Sequence, residues 1–450
     1  MGSPCAPCSA FASALLICDR LLTIRFALFP VSVFPPLTYH LTRSQLGRDL
    51  YRAYIDARRH KRSRAYQRAF EADMDARLDA LADALYARRY VPQPSSCFIV
   101  FDPKQREVFA AEFSDRVVHH LYYNYVAEMM ERTFIADSYS CIPHRGTHYG
   151  IHRLEQHIRR ASLGYSRPCY VLKGDIQGYF IHIERKRLLE ITLRLIDTMA
   201  THYRSRHTHE RWSDCRDIDF LKYLSEVIIM LDPTADCRRL CSADDWRGLP
   251  DSKSLFCSPE GCGLPIGNLT SQLFSNVYLG EFDQFAKRDL RCRHYGRYVD
   301  DFYVVSHDKA WLEGLVPKFE RYLDIVLGLH LSPAKTSVVD AARGVEFLGA
   351  FVKPHRTYIS HTSLRRMRRK LRALQRYADD YAGESEPLLW QVAYRLSAAL
   401  NSYCGVLRHW NTYRLRHKLL LEECDFSLYG VFNADITKFT PCLPPPLERP

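Results

Sequence analysis

Tyr298-Val299-Asp300-Asp301 places two adjacent carboxylates between two β-type runs, residues 294–298 and 302–305. Adjacent carboxylates repel, so a fold that presents them together usually supplies a cation. A hairpin holding such a pair suits phosphoryl transfer on two metal ions about 3.5–4 Å apart. A third carboxylate, Asp175, ends the run Cys169-Tyr170-Val171-Leu172-Lys173-Gly174. At a strand end it can reach a site built on a neighbouring hairpin, or it can simply close a turn. Magnesium takes hard oxygen ligands, often one or two carboxylates plus substrate phosphates. Asp175, Asp300 and Asp301 would supply them.

These residues need elements to hold them. From residue 41 onward, Leu46, Leu50, Tyr54 and then Phe70, Met74, Leu78, Leu81 and Leu85 recur at helical spacing. Between them, Arg58-Arg59-His60-Lys61-Arg62-Ser63-Arg64 reads equally as a solvated loop or a phosphate-contacting arm. Residues 97–110 read as a hairpin turning at Asp102-Pro103, with Lys104 and Arg106 just past the turn. Helices are expected over 115–132, 184–200, 220–231, 267–288 and 309–327. A strand and turn are expected over 169–181, a hairpin over 293–306, and strands over 336–339 and 344–352. From 363 the chain is helical and basic. Leu364, Met367, Leu371 and Leu374 share one face there, while Arg365, Arg366, Arg368, Arg369, Lys370 and Arg372 occupy the rest. That cationic face suits a nucleic-acid backbone. Strands and helices alternating irregularly around a central hairpin predict an α+β fold, not a doubly wound parallel sheet.

The 450 residues, 47% of them hydrophobic, allow a large core and two or three domains. The net charge of +12 suits a polyanionic partner but says nothing of fold. The 15 cysteines are dispersed in a chain far too long for a disulfide-stapled scaffold, which makes reduced thiols in a cytoplasm the expectation. Residues 10–37 are apolar but broken by Asp19, Arg20, Arg25 and three prolines, so no membrane span is expected. The basic n-region of a well-formed signal peptide is also missing. Residues 1–40 are expected to be a leader outside the folded protein, from an over-extended start. Cys5-Ala-Pro-Cys8 has no matching second pair, and Cys215, Cys237, Cys241, Cys257 and Cys262 lack paired spacing, so zinc is not predicted. The His and Arg cluster at 202–209 reads as a loop.

Several motifs carry a resemblance. Asp175-Ile176-Gln177-Gly178-Tyr179-Phe180 resembles the first carboxylate motif of reverse transcriptases, and Tyr298-Val299-Asp300-Asp301 resembles their YxDD motif. Asp115-Arg116-Val117-Val118-His119 resembles a DRVV segment of group II intron and related enzymes. Phe347-Leu348-Gly349 resembles the FLG element that grips the primer, and Lys335 the lysine that precedes it. Order and spacing agree over about residues 45–420. Within residues 263–272, Ile266 stands where most reverse transcriptases carry Gln, and Ile266-Gly267-Asn268 is similar to those of diversity-generating retroelements. Residues 245–256, 134–139 and 146–148 resemble the same lineage.

The resemblance implies a right-hand polymerase. Residues 41–168 would form N-terminal helices and fingers. Residues 169–360 would form a palm, an antiparallel sheet with the catalytic β-hairpin, carrying an insertion at about 201–260. Residues 361–430 would form a helical thumb and 431–450 a tail. The implied activity is RNA-directed DNA polymerase, copying a template RNA into cDNA with errors at adenines for targeted diversification of a gene. Two Mg²⁺ ions, or Mn²⁺ in their place, would be held by Asp175, Ile176, Asp300 and Asp301. Lys104, Arg106, Gln177, Gly178, Tyr179, Phe180, Ile266, Gly267 and Lys335 would bind the dNTP. Phe180 would exclude a ribose 2′-hydroxyl, pack in the core, or both. Implied partners are template RNA, primer and cDNA, dNTPs and a small basic accessory protein, in a cytoplasmic protein with no membrane contact. A group II intron or phage-defence reverse transcriptase is one alternative. An idle RNA-binding scaffold is another, and the three intact carboxylates speak against it. No nuclease domain is expected, because the tail after Tyr429 is too short for one.

Overall fold

The computed structural model describes residues 39–59, 64–102, 104–204 and 209–442. The expected leader, Cys5 and Cys8, residues 60–63 of the basic stretch and residues 205–208 of the His cluster lie outside the described residues. The strands in chain order are β1 (Ser95–Val100), β2 (Arg106–Ala110), β3 (Tyr170–Asp175), β4 (Cys237–Arg239), β5 (Tyr295–Tyr298), β6 (Asp301–Ser306), β7 (Ser337–Asp340), β8 (Val345–Phe347), β9 (Ala350–Lys353), β10 (Arg356–Ile359), β11 (Gly430–Phe432) and β12 (Phe439–Pro441). Helices surround them, and the fold is mixed α+β.

The central sheet runs β5-β6-β3-β7, antiparallel throughout. All of Phe302-Tyr303-Val304-Val305 on β6 is buried, because both faces of this strand are covered. On one face Phe302 meets Phe282 of the helix Leu269–Gln284 and Phe319 of the helix Lys309–Tyr322, with ring centres 5.2 and 5.5 Å away. On the other, Tyr303 lies against His157 of the helix Thr147–Ala161. The unbroken apolar run in the sequence reflects this two-sided burial.

Thr42 and Gln45 form a reciprocal capping box that starts the helix Arg43–Arg58. Its stripe Leu46, Leu50 and Tyr54 joins the main core with the helices Met74–Tyr86 and Phe113–Thr133. Arg58, from the basic stretch, is committed to Glu71 at 3.0 Å. β1 and β2 form the expected hairpin. Residues 237–257 dock on it. β4 pairs in parallel with β1, Trp246 Nε1 donates to Glu107 Oε1 at 2.7 Å, and the Leu255 amide donates to Glu107 Oε2 at 2.6 Å.

Several elements differ from expectation, among them the helix Thr147–Ala161, where no helix was expected. Residues 344–352 are not one strand but the hairpin β8-β9, turning at Leu348 (φ +49°) and Gly349 (φ +80°) and extended by β10. An apolar run on both sides of the turn hides it; the glycine was the signal. Residues 430–441, at the start of the expected tail, also form a hairpin. β11 and β12 pair, and Tyr429, Ile436 and Phe439 enter a second core with the helices His361–Asp380 and Glu386–Leu407. No helix among the described residues is long and apolar enough to cross a membrane.

Candidate catalytic site

The register of β3 on β6 sets Asp175 directly opposite Asp301. Asp300 lies in the β5-β6 turn, where its carbonyl accepts from the Ile176 amide at 3.3 Å. The turn is strained, since Val299 takes φ +55°, a region costly for a β-branched residue. Two contacts hold it there. The Val299 amide donates to Ser140 Oγ at 3.1 Å, and Arg297 Nη1 donates to the Val299 carbonyl at 2.9 Å. Arg297 is fully buried and grips Asp283 with two bonds of 2.7 and 2.6 Å, while the Tyr295 hydroxyl donates to the same carboxylate at 2.6 Å. Sequence reading singled out none of Ser140, Asp283 and Arg297. An arginine inside an apolar strand was the available signal, because such a charge needs a buried partner.

Burial, then the Asp300 and Asp175 charges, push the Asp301 carboxyl up to about 7. Burial and Asp175 also raise Asp300, against the pull of Lys335 and Arg106. Lys335 Nζ donates to both oxygens of Asp175, at 2.7 and 2.8 Å. Burial alone would lower the lysine, but the bond and charge of Asp175 outweigh it and the ammonium is raised. Among the described residues no three His, Cys, Asp or Glu side chains converge to close a metal shell as they stand. The Lys335 ammonium is the cation that faces Asp175 here. Hard oxygen donors, crowded until one resists ionisation, fit a divalent ion of the magnesium kind.

The loop after Asp175 reaches the other elements. The Gln177 amide donates to the His330 carbonyl at 2.9 Å, and its side chain is exposed. Gly178 takes φ +54°, and a Cβ there would meet His182 at 2.8 Å. Phe180 is half-buried, 5.2 Å from the Tyr179 ring. Tyr179 itself is in the core, donating to the Ser275 carbonyl at 2.6 Å, so its side chain does not line an open nucleotide site as expected. Leu264 N donates to Phe180 O at 2.8 Å, and Phe109 N donates to Ile266 O at 2.9 Å. Residues 264–266 thus stitch the Asp175 loop to β2, bringing Phe180, Ile266 and the strand that starts at Arg106 to one side. Gly267 (φ +134°) fits because a Cβ would sit 2.7 Å from the Phe109 carbonyl. Lys104 is exposed in the β1-β2 turn.

Phe347 is buried edge-on against Tyr303, with ring centres 5.1 Å apart, and the Gly349 carbonyl accepts from the Ser360 amide at 2.9 Å. Leu348 and Gly349 therefore lie at the start of the basic helix His361–Asp380. That helix buries Met367 and Leu371, as its stripe implied. Arg365, Arg368, Arg369, Arg372 and Arg376 line a groove of about 500 Å³. Arg366 is half-buried. Arg368 is tied to Glu423 at 3.0 and 3.1 Å, and Lys370 contacts Asp102, so neither stands free as expected.

No protein-family model matches the chain. It is 25% identical over 339 residues to Protein YkfC of Escherichia coli (strain K12), covering 68% of this chain and 75% of that protein. Among solved structures, apo telomerase from Candida Tropicalis truncated from its C-terminal domain overlaps 60% of the chain at 13% identity and a TM-score of 0.41. Telomerase from Candida albicans in complex with a TWJ fragment of telomeric RNA overlaps 79% at 11% identity and a TM-score of 0.40. The chain spans 56% and 63% of those two telomerase chains. Overlaps of that extent leave its fold to be read from its own sheets and helices.

Proposed function

We propose that this protein is an RNA-directed DNA polymerase of the reverse-transcriptase type. The observation that carries the reading is the β3-β6 register, which gathers Asp175, Asp300 and Asp301 into one partly buried cluster of negative charge. Such a cluster has a use where cations bind reacting phosphates. Two Mg²⁺ ions held by Asp175, Asp300, Asp301 and the Ile176 backbone would neutralise charge developing on the transferred phosphoryl group. In this reading β1-β2 with the docked 237–257 segment are fingers, the central sheet is a palm, and the helices after residue 360 are a thumb. Arg106 and Lys104 balance triphosphate charge. Lys335 yields Asp175 and turns to phosphate, while Phe180 bars a 2′-hydroxyl. Arg365, Arg369 and Arg372 track the template RNA and primer backbones. Ile266 cannot donate hydrogen bonds near the nascent pair, which favours error-prone copying at adenines in the service of gene diversification. A small basic accessory protein completes this reading.

The test is extension of a DNA primer on an RNA template with dNTPs and Mg²⁺. Wild-type protein should extend and Asp300→Asn should not. Sequenced cDNA should carry excess errors opposite adenine that fall in Ile266→Gln. No extension with Mg²⁺ or Mn²⁺ would end the polymerase reading. Even error rates at all four bases would end the diversification reading alone.

A further inference from the structure

The sheet β8-β9-β10 has two faces. Val345, Phe347, Ala350 and Val352 pack into the core shared with the helix Thr147–Ala161. On the other face the register sets Phe351 opposite Tyr358 and Lys353 opposite Arg356. Side chains alternate along a strand, so these four stand together. Each cation lies over a neighbouring ring. Lys353 Nζ is 5.7 Å from the centre of Phe351, and the Arg356 guanidinium is 4.7 Å from that of Tyr358. The face is open, with Tyr358 40% exposed. A groove of about 710 Å³ separates it from residues 411–415, where Tyr413 is 47% exposed and Arg414 is also exposed. Among the described residues no carboxylate lines this groove, the nearest on the sheet being Glu346, opposite Phe351 on β8. His361 and Leu364 line both it and the arginine groove, so the positive surface is continuous.

Rings interleaved with Lys353, Arg356 and Arg414, which outnumber the Glu346 carboxylate set opposite Phe351 on the same face, match a chain that is itself flat rings joined by phosphates. A duplex hides its base faces in its own stack and offers these rings nothing to lie against. We propose that the open face of β9-β10, with Tyr413 and Arg414, is a platform for single-stranded nucleic acid. Unpaired bases stack on Tyr358 and Tyr413 while Lys353, Arg356 and Arg414 contact phosphates. The platform lies outside the carboxylate cluster and does not depend on the polymerase reading.

The test is anisotropy of a labelled oligouridylate and the matching oligothymidylate on the full chain. Both should bind. Tyr358→Ala and Tyr413→Ala should each weaken binding about tenfold with little change in salt slope, and Tyr358→Phe should keep it. Lys353→Gln with Arg356→Gln should lower the salt slope by about 0.7 per lost phosphate contact. Arg52→Gln, an exposed residue on the helix Arg43–Arg58, is the control and should change nothing. Preference for uridylate assigns an RNA strand and preference for thymidylate a cDNA strand; both support the platform. Unchanged affinity in folded Tyr358→Ala and Tyr413→Ala overturns it. So does competition by duplex RNA or polyglutamate as effective as by the single strand. Protein that binds the strand but extends no primer sinks the polymerase reading and leaves the platform. Protein that extends primers but binds equally after both tyrosine changes does the reverse.

Discussion

A carboxyl held near pH 7 by burial and by its own neighbours is a residue under electrostatic strain. Removing one neighbouring charge relieves that strain and removes a ligand at the same time. Asp300→Asn is therefore expected to melt at the wild-type temperature or about 1–2 °C above it, while dNTP incorporation is lost. Thermal melts beside primer extension check this, and a large drop in melting temperature would contradict the crowding. At Phe180, a half-buried ring can both pack and exclude. Phe180→Ala should raise rNTP use relative to dNTP use by about tenfold in kcat/KM, and an unchanged ratio would leave the ring as packing alone. Asp175, Asp300 and Asp301 were legible because each sits at a strand end with its own apolar run as a marker. Ser140 and Asp283 were not, because their role is to hold a turn that lies far from Ser140 in the sequence and, for Asp283, acts through Arg297.

The hairpin β5-β6 works as an element because Arg297 and Asp283 are buried together behind it. Asp283→Ala leaves a buried guanidinium without its partner and should cost about 3–5 kcal/mol in chemical denaturation. The helix Thr147–Ala161 brings a second liability under the sheet. Burial lowers His157 to about 3, and its Nδ1 lies 3.1 Å from the Tyr303 hydroxyl. Burial likewise lowers His294 to about 4. A folded-state value below the unfolded one means that stability is fully present above about pH 6.5 and is lost as pH falls toward 3. Below about pH 6.5 each histidine should therefore withdraw up to about 1.4 kcal/mol per pH unit, opposed by the Asp301 and Asp115 carboxyls, which burial raises to about 7 and about 6, so the histidine part is read as the difference between wild type and variant. His157→Gln should flatten that slope. Most helices and the two main hairpins were readable from periodicity, but the helix Thr147–Ala161 was not expected. The β8-β9 turn was not, since apolar residues continue through it. Nor was the docking of 237–257, which depends on Glu107 accepting from an indole and a backbone amide more than a hundred residues away.

At the scale of the whole molecule, the net positive charge has a place. Arg365, Arg369 and Arg372 line one groove, and their replacement by Gln should weaken RNA binding and flatten its salt dependence by about 0.7–0.9 per phosphate released. Arg368→Gln should instead cost stability, because Arg368 holds Glu423. Titrations at several salt concentrations and melts separate the two. The amphipathic pattern showed that this helix has a cationic face but not which cations are already spent on partners elsewhere in the chain. One such partner has a consequence of its own. Lys370 reaches Asp102, at the turn between β1 and β2, so an exposed ion pair joins the basic helix to the β1-β2 hairpin. A pair of that kind is worth about 0.2–1 kcal/mol. A contact of that strength adds little resistance to a strand entering from the side. Under the proposed polymerase reading, a covalently closed RNA circle should then serve as template as readily as a linear one with free ends.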